Sequence, residues 1–274
     1  MRLAALNIYP VKSLRGIAVE SAEVDSLGAV GDRRFLVVDK AGVFMTQRSV
    51  PAMARVDALL DESFLSLRSA GFGGIRVRRA PDPGAPLVPV RVWKSEELRA
   101  EHCGEAPAAW LTEALGTPCS LVRIGPAFRR PIGGRGASPG ENVGFADGYP
   151  FLVLSEASVQ DVNRRILAGG GGAVPINRFR PNLVVDGCGP FAEDKWRRIR
   201  IGGIVFRVTK PCSRCVITTT DQATGERSAE PLRTLAGYRR DPAEPTDVNF
   251  GQNLIHETIS GSLRVGDPVE VLET

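Results

Sequence analysis

The stretch Lys210-Pro211-Cys212-Ser213-Arg214-Cys215-Val216-Ile217-Thr218-Thr219-Thr220-Asp221 sets two thiols and a guanidinium close together, at the mouth of what reads as a strand. A thiolate is a soft metal ligand or a nucleophile, and a neighbouring cation lowers a thiol's pKa. Pro211 stiffens the approach. The β-branched run Val216 to Thr220 predicts a rigid strand directly behind Cys215. Soft-metal or redox chemistry on a β framework is the first reading.

The sequence around this stretch is strand-rich. Downstream of residue 180, strands are predicted at Asn182 to Val185, Arg198 to Ile201, Ile204 to Val208, Cys215 to Thr220 and Pro268 to Leu272, with one short helix near Leu232 to Tyr238. Phe151 to Leu154 reads as a buried strand. A helix then runs from Ser155 or Ser158 to about Leu167, with Val159, Val162 and Ile166 on one face, serine as N-cap and Gly169 to Gly172 ending it.

The first half predicts strands at Leu3 to Tyr9, Ala18 to Val24, Phe64 to Leu67, Gly74 to Val77, Val88 to Trp93 and Leu121 to Ile124. Arg34 to Asp39 and Val43 to Thr46 form a hairpin around Lys40-Ala41-Gly42. Ala106 to Leu115 has helix character, with Gly116 placed to cap its C-terminus. Gly125 to Gly148, rich in Gly, Pro, Ser and charge, reads as an inter-domain linker or a mobile active-site loop. Many short strands and few helices point to a β-barrel or sandwich.

The chain's 274 residues suffice for one large domain or two ordinary ones, and 43% hydrophobic with 24% charged residues is a globular composition. A net charge of +4 is spread among interspersed signs, so nucleic acid is not expected as a partner. Lysine occurs only at positions 12, 40, 94, 195 and 210, so arginine, the better bidentate phosphate binder, dominates the positive set. No apolar run reaches 18 residues and the start is too short for a secretory signal. The expectation is a cytoplasmic protein with no membrane partner.

Five cysteines (103, 119, 188, 212, 215) do not make a disulfide framework, and the odd count points to free thiols. Cys212 and Cys215 would need a second pair to hold zinc, and none has that spacing. A thioredoxin-like pair would open a helix, whereas β-branched residues follow here. Two small buried hydrophobes, or a single-thiolate metal centre on Cys215, remain open. With His102 and His256 the only histidines, a histidine network is poorly supplied.

Arg178-Phe179-Arg180-Pro181-Asn182 sets two arginines and an amide around a rigid turn, suited to a phosphate and a heterocycle edge, or to a plain surface turn. Lys12 and Ser13 at a strand end could hold an anion. Gly31-Asp32-Arg33-Arg34 is a weaker signal of the same kind. No P-loop, no G-x-G-x-x-G opening a helix and no G-x-S-x-G elbow occurs, which counts against nucleotide hydrolysis, nicotinamide binding and the common serine-hydrolase layout.

In order along the chain stand Tyr9-Pro-Val-Lys-Ser13, Gly31-Asp-Arg33, Thr46-Gln-Arg48, Phe145-Ala-Asp-Gly-Tyr-Pro-Phe151, Ser155-Glu-Ala-Ser158 and Phe179-Arg-Pro-Asn182. Glu193-Asp-x-Trp196, Cys212-Ser-Arg-Cys215 with Thr218-Thr219, Gly225, Pro231-Leu-x-Thr-Leu235, Phe250-Gly-Gln252 and Val265-Gly-Asp-Pro268 follow. This series resembles the MOSC-domain proteins, and among them the mitochondrial amidoxime-reducing component and its bacterial relatives. The resemblance spans nearly the whole chain. It implies a β-rich α+β protein: a MOSC β-barrel with a few helices over residues 125–274, preceded by a smaller β-rich N-terminal MOSC-associated domain over residues 1–124.

It also implies a molybdenum cofactor (Mo-molybdopterin), with Cys215 as the molybdenum ligand. Lys12, Ser13, Arg33, Arg180, Asn182, Ser213 and Arg214 match cofactor-holding positions, and Asp147 an acidic position near the metal. The activity implied is reduction of N-hydroxylated compounds: amidoximes, hydroxylamines or N-hydroxylated bases. With no iron–sulfur domain, desulfurase half or membrane anchor in this stretch of sequence, electrons are expected from a separate protein of ferredoxin, flavodoxin or cytochrome b5 type with its reductase. The alternative is a non-catalytic carrier of the cofactor or of sulfur on Cys215. Position 14 is Leu, so no extra thiol adjoins Lys12-Ser13, and Asn253 stands where relatives place an aromatic.

Overall fold

A computed structural model describes residues 1–274. The first half contains β1 (Arg2–Ile8), β2 (Ile17–Val19), β3 (Ser21–Asp25), β4 (Gly28–Ala29), β5 (Phe35–Val38), β6 (Asp57–Leu60), β7 (Phe64–Ser69), β8 (Gly73–Arg78), β9 (Leu87–Val92), β10 (Ser95–His102), α1 (Glu105–Leu115) and β11 (Ser120–Arg123). The second half contains β12 (Phe151–Ser155), α2 (Glu156–Ala168), β13 (Leu183–Asp186), β14 (Arg198–Ile201), β15 (Ile204–Ser213), α3 (Leu232–Ala236), β16 (Asn249–His256), β17 (Gly261–Arg264) and β18 (Val269–Glu273). The protein is strand-rich with few helices, as expected. No helix is long and apolar enough to cross a membrane.

The largest sheet has eight strands in the order β18-β14-β15-β16-β12-β13-β1-β2. Only β12 and β13 run parallel within it, with Val153 opposite Leu183, and β1 joins β13 antiparallel with Leu6 opposite Leu183. The first strand of the chain is thus built into a sheet otherwise supplied mainly by the second half. The cause is a shared apolar face: Leu3, Leu6 and Ile8 pack in one core with Phe151, Leu183, Ile199 and Phe206. Likewise β3 pairs with β17, Ala22 opposite Leu263. The sheets β5-β11-β10-β9 and β6-β7-β8 come wholly from the first half. They enclose a second core of Val11, Phe35, Val37, Leu65, Leu67 and Leu121, covered by Leu111 of α1.

Both longer helices follow their sequence signals. Ser155 caps α2, accepting the Ser158 N–H, and Val159, Val162 and Ile166 are buried. Gly116 ends α1 at φ 66°, the left-handed conformation that a glycine adopts without strain.

The expected strand from Cys215 to Thr220 is not formed. β15 runs ahead of it and ends at Ser213, and Val216–Thr219 is a 3-10 helix with Cys215 at its N-cap. Threonine hydroxyls decide this: Thr218 donates to the Cys215 carbonyl (3.0 Å) and Thr219 to that of Val216 (2.7 Å), closing the chain locally against its β propensity. The expected strand over 18–24 divides at Glu20, because β2 pairs with β1 and β3 with β17. The arm at Val43 to Thr46 makes the expected hairpin bonds to β5 only in part, Met45 N–H to the Val37 carbonyl (2.8 Å) among them.

Residues 125–148 are irregular but packed. Phe128 and Phe145 meet edge to face at 5.0 Å within a core containing Leu36, Val90 and Val122. Arg130 donates to the carbonyls of Gly144 (2.9 Å), Ala146 (2.5 Å) and Asp147 (2.9 Å), so one guanidinium holds the turn ahead of Asp147.

Candidate functional site

Three tight segments bring the site together. After β1 the chain turns at Val11 to Ser13, held by the Lys12 N–H on the Phe35 carbonyl (3.0 Å), with Ser13 at φ 66°. Arg33 sits at φ 45°, its N–H on the Tyr9 carbonyl (2.8 Å). Arg180, at φ 54°, ends the 3-10 helix Ile176–Phe179. None of these is glycine, and left-handed backbone costs a non-glycine residue about 1–3 kcal/mol. Four of the chain's five such residues, with Trp93 at φ 54°, line the two chambers described next.

The inner chamber, about 130 Å3, is lined by all nine residues singled out from the sequence: Lys12, Ser13, Arg33, Asp147, Arg180, Asn182, Ser213, Arg214 and Cys215. Arg178 also lines it, giving five cations to one lining carboxylate, although Arg33 and Arg178 are paired behind it with Asp32 (2.6 Å) and Asp221 (2.9 Å). It opens beside an outer chamber of about 610 Å3, with Asp147, Cys212, Ser213 and Asn253 on both. Neither histidine lines either chamber. Cys215 is exposed, whereas Cys212 is half-buried and burial pushes its thiol up.

Lys12 is 5% exposed and pairs with Asp147. Burial lowers the ammonium to about 8, only partly opposed by Asp147. For Asp147, partial loss of hydration works to raise the pKa, but the Lys12 charge and hydrogen bond, with the Trp93 N–H (2.9 Å), carry it below the usual carboxylate range. Its side chain is 62% exposed, so water screens the pair and the carboxylate stays reachable. Tyr9 has the Arg33 and Arg180 guanidinium carbons each 4.3 Å from its ring centre, and burial pushes its hydroxyl up to about 12.

Asn182 behaves differently from the reading of its amide as a contact to a heterocycle edge. Its oxygen accepts from Arg33 (2.9 Å) and the Leu152 N–H (3.3 Å), and its nitrogen donates to the Asn7 carbonyl (3.1 Å). At 1% exposure it is engaged with protein and acts on the chamber by holding Arg33.

These residues fit an anionic, thiolate-ligated cofactor. Arg214 Nη2 and Arg178 Nε are buried without a partner, although Arg214 donates elsewhere to the carbonyls of Phe250 (2.7 Å) and Phe179 (3.0 Å). Orphaned buried cationic donors are expensive unless an anion meets them. Phosphate oxygens would satisfy them and offset the charge excess.

Two neighbours of the chamber are not among the site residues that the sequence indicates. Arg48 places Nη1 3.4 Å from Cys215 Sγ, and its guanidinium carbon lies 4.5 Å from the Trp93 ring centre. Trp93, at the β9–β10 turn, is 47% exposed. Trp93 reads in sequence only as the end of a strand. Arg48 falls within Thr46-Gln-Arg48, but nothing local shows that it crosses to Cys215.

Residues 1–118 match the family described as the MOSC N-terminal beta barrel domain, and residues 140–270 match the MOSC domain. The chain is 35% identical over 98% of its length to mitochondrial amidoxime-reducing component 1 of Mus musculus, covering 82% of that protein. It is 36% identical to the Homo sapiens counterpart, with the same coverage. It is also similar to molybdenum cofactor sulfurase of Oryza sativa subsp. japonica, 31% identical over 98% of this chain but only 35% of that much longer protein.

Proposed function

Because this chain belongs to the MOSC family, with the family's N-terminal β-barrel domain preceding the MOSC domain, we propose that it is a molybdenum-cofactor-dependent reductase of N-hydroxylated compounds. The observation that carries this reading is the convergence of five cations, drawn from both halves of the chain, around one exposed thiol. The relatives named for amidoxime reduction supply the substrate class: amidoximes, hydroxylamines or N-hydroxylated bases.

Cys215 would ligate the metal. Lys12, Arg33, Arg180 and Arg214 would hold the pterin and its phosphate, with Ser13 and Ser213 donating at the edge. A bound molybdenum cofactor would supply two-electron removal of oxygen from an N–O bond, two electrons from the carrier and two protons from solvent giving amine or amidine and water. Asp147 is kept ionised, spans both chambers and can accept a hydrogen bond from a substrate N–OH or N–H, orienting it in the outer chamber. Electrons are proposed to come from a separate carrier of ferredoxin, flavodoxin or cytochrome b5 type with its reductase.

The test is molybdenum and pterin content of protein from a cofactor-replete host, beside benzamidoxime reduction with an artificial donor. Near-stoichiometric molybdenum with turnover is expected, both collapsing in Cys215→Ala. A Cys215→Ala protein that keeps molybdenum and full activity would refute the role of Cys215. Retention without turnover by the native protein would favour a cofactor or sulfur carrier.

A further inference from the structure

We propose that Arg48 is a positioning residue for the metal's thiolate: its guanidinium holds an N–H···S hydrogen bond on Cys215 and so favours the reduced metal. This rests on the function proposed above and extends it to a residue outside the inner chamber.

Arg48 Nη1 lies 3.4 Å from Cys215 Sγ, within hydrogen-bond range for sulfur. A surface arginine would normally sample many rotamers, but this one is held at both ends. Its backbone carbonyl and that of Gln47 both accept from Arg227 Nη2, at 2.6 Å each. Gln47 is itself fully buried, donating to the Ser13 carbonyl (2.9 Å) and exchanging amide bonds with Gln222. At the other end the guanidinium stacks against Trp93.

Trp93 gives the second, independent observation. It is a bulky aromatic in left-handed backbone, half exposed and touching the core only through Phe44 (ring centres 5.1 Å apart), so core packing does not by itself explain its strained backbone. What it does is bridge the two reactive groups of the site. Its face carries Arg48, and its indole N–H donates to Asp147. One side chain of the β9–β10 turn thereby sets both a donor on the thiol and the orientation of the carboxylate.

An N–H donor draws electron density from a ligating sulfur. The thiolate then gives less charge to the metal, and the couple moves to higher potential. Arg48 therefore acts through Cys215 and does not contact substrate.

The experiment compares native protein, Arg48→Met, Arg48→Lys and Trp93→Leu for molybdenum content, the paramagnetic molybdenum spectrum and the reduction potential. Arg48→Met is expected to retain molybdenum, to change the spectrum and to favour the oxidised metal about tenfold, or about 59 mV for one electron. Arg48→Lys should restore part of the shift, and Trp93→Leu should move it in the same direction by less. Arg48→Met with native molybdenum, spectrum and potential would overturn the proposal. So would complete loss of molybdenum in both Arg48 variants, since Arg48 would then hold the cofactor rather than tune it. Native protein without molybdenum would refute the function itself, an outcome distinct from both.

Discussion

Arg33 donates to Asn182 across 2.9 Å, joining a left-handed residue of the first half to a buried amide of the second. The same amide accepts from Leu152 and donates to Asn7, so it serves β12, the end of β1 and the site together. Asn182→Ala leaves these groups short of partners in a buried setting. It should cost about 1–3 kcal/mol, read as a lower denaturant midpoint, and reduce molybdenum retention in part by loosening Arg33, which Asp32 (2.6 Å) still holds. An unchanged midpoint would show that water replaces the amide without penalty.

Lys12 has the opposite effect on stability. Its folded pKa of about 8 lies below the unfolded value near 10.5, so folding buries a charge at neutral pH, at a penalty that fades as pH rises from about 8 to 10.5. In cofactor-free protein, Lys12→Met should therefore be stabilising at neutral pH, by an amount reduced by the lost attraction to the largely exposed Asp147. The same variant should fail to retain molybdenum. A lower melting temperature for cofactor-free Lys12→Met would contradict this.

His256 adds an acid-side dependence away from the site. It is 5% exposed, with Nε2 2.7 Å from the Asp25 carbonyl and Nδ1 buried without a partner. Burial lowers its pKa, so the folded state resists a proton that the unfolded chain accepts near pH 6.5. Its contribution is full above that pH and declines as pH falls toward the lower folded pKa. Melting temperature measured from pH 7 to 5 should fall less in His256→Gln than in the native protein. Parallel curves would assign the acid sensitivity elsewhere.

Arg130 holds three successive features of the Asp147 turn through the carbonyls of Gly144, Ala146 and Asp147. Arg130→Lys cannot reproduce that fork. A loss of about 2–3 kcal/mol is expected, from charge-assisted hydrogen bonds to buried carbonyls. KM for benzamidoxime should rise more than kcat falls, because Asp147 is displaced while the metal-ligating side is untouched. Equal loss in both would mean that the turn reaches the metal side as well.

The helices, most strands and the ingredients of the site were legible in sequence because they depend on local chemistry. Ser155 and Gly116 cap helices wherever such helices occur, and alternation in β7 suits a half-buried sheet. β4, β6, β10, β16 and β17 were not legible, β10 and β16 being the longest. Ser95–His102 is half charged and Asn249–His256 carries polar residues, yet β10 pairs along β9, and β16 lies between β15 and β12. Their strand character comes from neighbours offering ladder hydrogen bonds, which no local propensity records.

The sequence by itself determined the chemical inventory: a thiol pair flanking an arginine, a strand-end Lys-Ser, an Arg-Pro-Asn turn, and β-rich halves carrying the MOSC motifs. Tertiary structure alone decided that β1 crosses into the second half's sheet and that Arg48 reaches Cys215 from 167 positions away. Residue type and short spacing fix which bonds a group can make. Which partner it meets depends on the burial of apolar faces such as Leu3 and Leu6 against Phe151 and Leu183, and that long-range packing brings distant polar groups together.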